Sequence, residues 1–238
     1  MKVSVVIPAY NEEKLLGATL DCIRTATEPL HECEWELIVC DNNSTDATAE
    51  IARGRGAEVV FEPVNQISRA RNAGANAATG DWLIFVDADS QPSPGLFREV
   101  LHSIKGGCLA GGSTVASDDP SLVMRIPVGI WNAISRMTRW AAGSFIFCDA
   151  QVFREIGGFS KALYAAEEID LSIRLKRVAR KDGRRMVILH RHPLVTSARK
   201  AHLYSVREMT GMMLRALLTG GRSLRDKKSC YAWYDGRR

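Results

Sequence analysis

Asp87-Ala88-Asp89 stands at the exit of the apolar run Trp82-Leu83-Ile84-Phe85-Val86. A run that apolar reads as a strand buried on both faces, and two carboxylates one residue apart at its end cannot be core. In extended chain, residues i and i+2 project to the same side, so both acids can converge on one cation. Carboxylates that close repel unless positive charge sits between them. The chemistry suits a hard divalent ion that completes its shell with substrate phosphate. Taken alone, the pair equally fits a surface turn, because Ser90-Gln91-Pro92 follows. Its setting decides between them.

The elements needed to position such a site can be read along the front half. Val3 to Ile7 reads as a strand, Glu13 to Thr25 as a helix with Leu15, Leu16, Leu20 and Ile23 on one face. Glu36 to Cys40 is a second strand, and Ser44 is placed to cap a helix from Asp46 to about Arg53. Glu58 to Phe61, Ser68 to Ala78 and Trp82 to Val86 continue as strand, helix and strand. This alternation predicts parallel strands with right-handed crossovers, and ligands beyond the carboxyl ends of the strands. Pro8-Ala9-Tyr10-Asn11, Asp41-Asn42-Asn43 and Asp87-Ala88-Asp89 all fall at such ends, which predicts one shared site.

The back half is less regular. Leu122 to Ala141 has helical period but contains Pro127, and it carries Trp131, Trp140, Met124 and Met137 beside Arg125, Arg136 and Arg139. Ser144 to Cys148 reads as a strand, Val152 to Ile156 as a short helix, and Glu167 to Arg180 as an amphipathic helix. Met186 to Leu189 is a further strand. Leu203 to Leu218 is a last helix, with Val206, Met209, Met213 and Leu217 expected inward. No internal repeat or low-complexity linker divides the 238 residues, so one domain is expected.

Composition bounds the remaining classes. No apolar run is long enough to span a bilayer, and the opening Met-Lys-Val-Ser-Val-Val-Ile-Pro reads as a first strand, not a signal peptide. Six cysteines are scattered without a CxxC pair, which argues for reduced thiols and a cytoplasmic location, against zinc or a disulfide scaffold. The net charge is +5, concentrated from Arg199 onward, where 10 Lys/Arg face 3 Asp/Glu. A basic tail of this kind suggests an anionic partner (diphosphate, lipid phosphate or a membrane surface), while a solvated basic helix explains it equally well. No nucleic-acid-binding motif accompanies the charge, so nucleic acid is not expected as a partner.

Four pieces recur in order: Val5 to Glu13 with its Pro8-Ala9-Tyr10-Asn11-Glu12; Asp41 to Asp46; Arg69-Ala70-Arg71-Asn72-Ala73-Gly74 leading through Gly80-Asp81 into Asp87-Ala88-Asp89; and Gly157-Gly158-Phe159 before Glu167-Glu168-Ile169-Asp170. The set resembles the family 2 glycosyltransferases of the GT-A fold over roughly Lys2 to Arg199. That resemblance implies an α/β domain with a central, mostly parallel sheet flanked by helices, spanning residues 1–200, with 201–238 a basic helix and tail packed on it. It implies a nucleotide-diphosphate sugar donor, a Mn²⁺ or Mg²⁺ ion and an acceptor hydroxyl, with inversion as the expected outcome. Carried over by residue, Pro8, Ala9, Tyr10 and Glu12 line the donor pocket, and Asp41 bonds the base. Arg71 faces the donor or steadies the carboxylates, and Arg199 with Lys200 closes over the diphosphate. Asp89 is the principal metal ligand, Asp87 meets the ribose or the ion, and a late histidine, His192 or His190, adds an imidazole. Glu168 stands where the family usually has Asp as the base, one methylene longer, and a carboxylate in a first helical turn is expected to be stable as the anion. Glu167 and Asp170 are its expected supports.

Two other classes remain at this stage. A catalytically inert sugar-nucleotide binder is left open by the Glu-for-Asp change. A sugar nucleotidyltransferase would carry a glycine-rich basic loop after the first strand, where this chain has Pro8-Ala9-Tyr10-Asn11-Glu12-Glu13. The acceptor stays open among saccharide, lipid and small molecule. For Met124 to Trp140 the expectation is ordinary packing. The alternative, for it and the basic tail, is peripheral contact with a membrane, placing the protein at its inner face.

Overall fold

The computed structural model describes residues 1–199 and 203–234. Its strands are β1 (Lys2–Ala9), β2 (Glu34–Asp41), β3 (Glu58–Phe61), β4 (Trp82–Val86), β5 (Ser90–Gln91), β6 (Cys108–Ser117), β7 (Phe145–Asp149) and β8 (Arg185–Thr196). They form one sheet in the order β3-β2-β1-β4-β7-β6-β8-β5. β3, β2, β1 and β4 run parallel, as the alternation predicts, while β7 runs antiparallel between β4 and β6. β8 returns parallel to β6 and antiparallel to β5.

The helices are α1 (Leu16–Thr27), α2 (Thr48–Gly54), α3 (Ile67–Ala77), α4 (Pro94–Lys105), α5 (Leu122–Thr138), α6 (Ala150–Glu155), α7 (Glu167–Lys181), α8 (Val206–Leu218) and α9 (Tyr231–Tyr234). The sheet is covered on both faces. Val5 and Ile7 of β1 pack with Leu16, Leu20, Leu96 and Phe97 on one side. Val6, between them, packs with Phe85, Phe159, Leu171 and Leu175 on the other. Burial on both faces is why β1 and β4 are apolar runs instead of alternating ones.

Three local expectations change. α2 begins at Thr48, and Asp46, not Ser44, accepts the Thr48 N–H at 3.0 Å. α4 and β6, which the sequence reading lacked, fill the stretch between the acidic pair and α5. β8 is three times the expected strand and carries the exposed Pro193 beside an irregularity in its pairing with β6, where a missing N–H is tolerated. None of the described helices is long and apolar enough to cross a membrane.

Candidate active site

The loop after β1 and the loop after β2 hold each other. Ser44 Oγ accepts the Asn11 N–H at 3.0 Å, Asn11 Oδ1 accepts the Thr45 N–H at 2.8 Å, and Thr48 Oγ1 accepts the Glu12 N–H at 2.8 Å. Asn11 and Asn43 take left-handed backbone (φ 52° and 68°), which asparagine tolerates better than most side chains. Asp41 is buried beside this brace, and its Oδ1 accepts the Ser44 N–H at 3.0 Å. Asn42 Nδ2 donates to the Glu62 and Val64 carbonyls and its Oδ1 accepts the Gln66 N–H, fixing the loop into α3.

Asp87 and Asp89 reach the site through a turn, not as extended chain. The Ser90 N–H bonds the Asp87 carbonyl at 3.1 Å, and β4 has ended at Val86. The pair thus occupies a turn, as one reading of the sequence had it, and that turn faces a cleft. A cleft lined by Pro8, Ala9, Tyr10, Glu12, Asn42, Asp87 and Asp89 opens at the carboxyl end of β1 and β4. A second cavity, lined by Arg71, Asp87, Gly143, Ser144, Glu167 and Glu168, adjoins it. Ile67, Asp87 and Trp233 belong to both, so the two spaces share a wall.

Arg71 is wholly buried and ties that wall together. Its Nη1 donates to Glu167 Oε1 at 2.8 Å, and its Nη2 donates to Asp87 Oδ1 at 2.9 Å and to the Gly143 carbonyl at 2.8 Å. The guanidinium carbon lies 5.2 Å from the Phe159 ring centre, and the surrounding carboxylates outweigh burial, holding Arg71 charged. Gly143 lets the backbone come close here: a Cβ there would stand 3.2 Å from Arg71 Nη2, a tight contact, and 3.5 Å from the Glu168 carboxyl carbon.

Glu168 is half-buried in the second cavity. Burial and the neighbouring Glu167 charge push its carboxyl up to about 8, against the pull of Arg71. The first-turn helix field that was expected to keep it a stable anion is thus outweighed. Ala166, just before the pair, is held at φ 60°, a left-handed conformation that an alanine takes at some cost. Glu167 supports the site through Arg71. Asp170 does not: it pairs with Arg174 at 2.7 Å, whose guanidinium clasps the Ile156 and Gly158 carbonyls.

Arg199 donates to Glu12 Oε1 at 2.7 Å and lies 3.7 Å from Asp89 Oδ2. Lys200 lies outside the described residues. His192 is not brought to the acidic pair and lines neither cavity: its Nδ1 meets Glu99 of α4 at 2.8 Å, over Gly95. His190 faces an outer groove with Arg136 and Arg139. Each sits on the long exposed stretch of β8, which carries both histidines past the site. Among the described residues no group of three His, Cys, Asp or Glu is set to hold a metal. Asp87 and Asp89 nonetheless offer hard oxygen donors to one cleft, a donor set that fits a divalent ion completed by substrate oxygens.

The end of the chain supplies what the sequence reading missed. Trp233 and Tyr234 of α9 line the first cleft, Tyr234 Oη accepts from the Ile67 N–H at 3.4 Å, and the Tyr164 and Tyr234 rings meet edge to face at 5.5 Å. The only signal was aromatic: Tyr231, Trp233 and Tyr234 cluster in a segment otherwise read as a basic tail.

The profile described as Glycosyl transferase family 2 matches residues 4–157. The undecaprenyl-phosphate 4-deoxy-4-formamido-L-arabinose transferase of Photorhabdus laumondii is 34% identical over 153 residues, 60% of this chain and 46% of that protein. The chain spans about half the length of the curated relatives it matches. Among solved structures, Mycobacterium tuberculosis glucosyl-3-phosphoglycerate synthase with Mn²⁺, UDP and phosphoglyceric acid superposes with a TM-score of 0.62 at 20% identity, over 96% of this chain and 78% of that one. S. aureus TarS with UDP-GlcNAc gives 0.63 at 18% identity, over 100% and 74%.

Proposed function

The chain belongs to glycosyl transferase family 2 and has the GT-A fold, and from that premise we propose that it transfers a sugar from a nucleoside diphosphate sugar to an acceptor hydroxyl. The observation that carries this reading is the shared wall: Asp87 lines both the cleft of Pro8, Tyr10, Glu12 and Asp89 and the cavity of Glu168. A donor in the first space and an acceptor in the second would meet beside Asp87. The UDP and UDP-GlcNAc carried by the solved relatives support the donor class.

In this reading Asp41 and Tyr10 flank the nucleoside, and Arg199 stands between Glu12 and Asp89 at the diphosphate. Asp89 with Asp87 would hold a divalent ion, which neutralises the departing diphosphate. Glu168 takes the proton from the acceptor hydroxyl as its oxygen bonds the anomeric carbon. The bond from that carbon to the diphosphate breaks on the opposite face, and the nucleoside diphosphate leaves with the electron pair. One attack of this kind inverts the anomeric centre. Arg71 keeps Asp87 and Glu167 in place. Residues 203–234 are read as part of the same domain, a reading supported by the bond from the Tyr164 N–H to the Leu224 carbonyl at 2.7 Å.

The test is release of nucleoside diphosphate from a panel of nucleotide sugars with Mn²⁺ or Mg²⁺ and mixed acceptors. Turnover that is lost in Asp89→Asn supports transfer. Binding of a nucleotide sugar with no release under any pairing would favour the inert binder.

A further inference from the structure

α5 is fastened to the sheet by its polar residues. Asn132 bonds the backbone of Val115 of β6 in both directions at 2.9 Å, and the fully buried Ser135 donates to the Trp140 carbonyl. Five of its large apolar residues point the other way, while Met124, Val128 and Trp131 are half-buried on its inner side. Leu122, Ile126, Ile130 and Ile134 recur every fourth position and Met137 follows, which places them on one face. That face is open to solvent: Ile126 is 61% exposed and Met137 85%. Of the residues whose packing was expected, Met137 is exposed, while Met124, Trp131 and Trp140 are half-buried.

α8 repeats the arrangement. Met209, Met213 and Leu217, expected inward, are exposed, as are Leu214 and Leu218, the last at 86%. Its amino end is locked by a capping box between Ser205 and Glu208, so the helix is a built element. Ten of the thirteen large apolar side chains exposed among the described residues lie on these two helices. A soluble monomer seldom leaves such faces open.

Charge selects what covers them. From Pro120 to Cys148 the chain has three arginines and no Asp or Glu, and Arg125, Arg136 and Arg139 are all exposed. Arg207 and Arg215 stand exposed on α8, with Arg222, Arg225, Lys227 and Lys228 after it. A second copy would bring cation against cation on the same face. An anionic bilayer offers both complements at once: acyl chains for the Leu, Ile and Met stripes, and headgroup phosphates for the arginines. We propose that the outward faces of α5 and α8 dock this protein on an anionic lipid surface. The position suits the site, because the chain leaving α5 at Thr138 leads within a few residues to Gly143 and Ser144 of the Glu168 cavity.

The test is co-sedimentation of the full chain with phosphatidylcholine vesicles, with and without phosphatidylglycerol, read without turnover so that failure leaves the transfer reading intact. Expected is binding only to the phosphatidylglycerol vesicles at low salt, released at about 0.5 M salt, where screening reaches a few ångströms. Ile126→Ser/Ile130→Ser/Met137→Ser and Met213→Ser/Leu214→Ser/Leu217→Ser should each weaken partition by at least about tenfold. Arg125→Glu/Arg136→Glu/Arg139→Glu should do the same, all three with unchanged melting temperatures. Absence of wild-type binding, or binding that the three variants retain, overturns the proposal. Lipid-free wild-type dimers that the serine variants dissolve would also overturn it, in favour of a second copy.

Discussion

Asp87 at the end of β4 and Glu167 at the start of α7 are joined through a single guanidinium, that of Arg71, at 2.9 and 2.8 Å. The two carboxylates belong to different halves of the chain, and both line the Glu168 cavity. The residue that joins them is carried by α3.

Removing that link should damage stability before chemistry. Arg71→Met leaves Glu167 buried without its partner, and breaking a buried pair from one side costs about 3–5 kcal/mol. Chemical denaturation should show the loss in midpoint, with Arg71→Lys recovering part of it. A midpoint unchanged in Arg71→Met would refute the brace.

Glu168 sets the expected pH dependence. Its carboxyl is raised to about 8, so the ionised base is scarce below that value and accumulates above it. Initial rates should climb through the region of pH 8, and Glu168→Gln should lower kcat by about 10²–10⁴ with the climb abolished. Glu168→Asp, which restores the shorter side chain, should keep the climb. A rate indifferent to pH between about 6 and 9 would remove Glu168 from the role.

Asp89 is the proposed ligand of a divalent ion at the donor diphosphate. Nucleoside diphosphate with Mn²⁺ at about 100 times its dissociation constant should stabilise the wild type by about 2.7 kcal/mol. Asp89→Asn should lose most of that gain while its unliganded melting temperature stays close to wild type. Equal stabilisation of both proteins would place the ion elsewhere.

Trp233 tests the contribution of the chain's end. Because it lines both cavities, Trp233→Ala should raise KM for donor about tenfold, the size expected for loss of a well-packed aromatic contact. Unaltered KM for donor and acceptor alike would leave Trp233 a bystander.

Glu36, far from the site, predicts acid sensitivity. Burial is outweighed by Lys2, Ser4 and Thr79, which hold its carboxyl down to about 2. A depressed carboxyl contributes fully above its ordinary pKa, and that contribution fades as pH falls from about 4.5 toward 2. Wild type should lose more stability than Glu36→Gln across that window in pH-dependent unfolding, on the order of 1 kcal/mol with solvent screening of the partly exposed partners.

The sequence determined the parallel front of the sheet and the identity of the acidic rim. Strand and helix periods are local, and strands buried on both faces announce themselves as apolar runs that must end before a charge. β6 escaped because Ala110-Gly111-Gly112 lacks strand residues; a Cβ at Gly111 would run into Phe147 and one at Gly112 into Ala141, so packing, not propensity, chose them. Tertiary structure alone decided that Arg71 is buried between Asp87 and Glu167, that β8 carries His192 to Glu99, and that α9 returns to wall the cleft. It also decided which side of α5 and α8 faces outward. A helical period marks a stripe but not its direction, and a carboxyl's proton affinity depends on neighbours that only folding brings within reach.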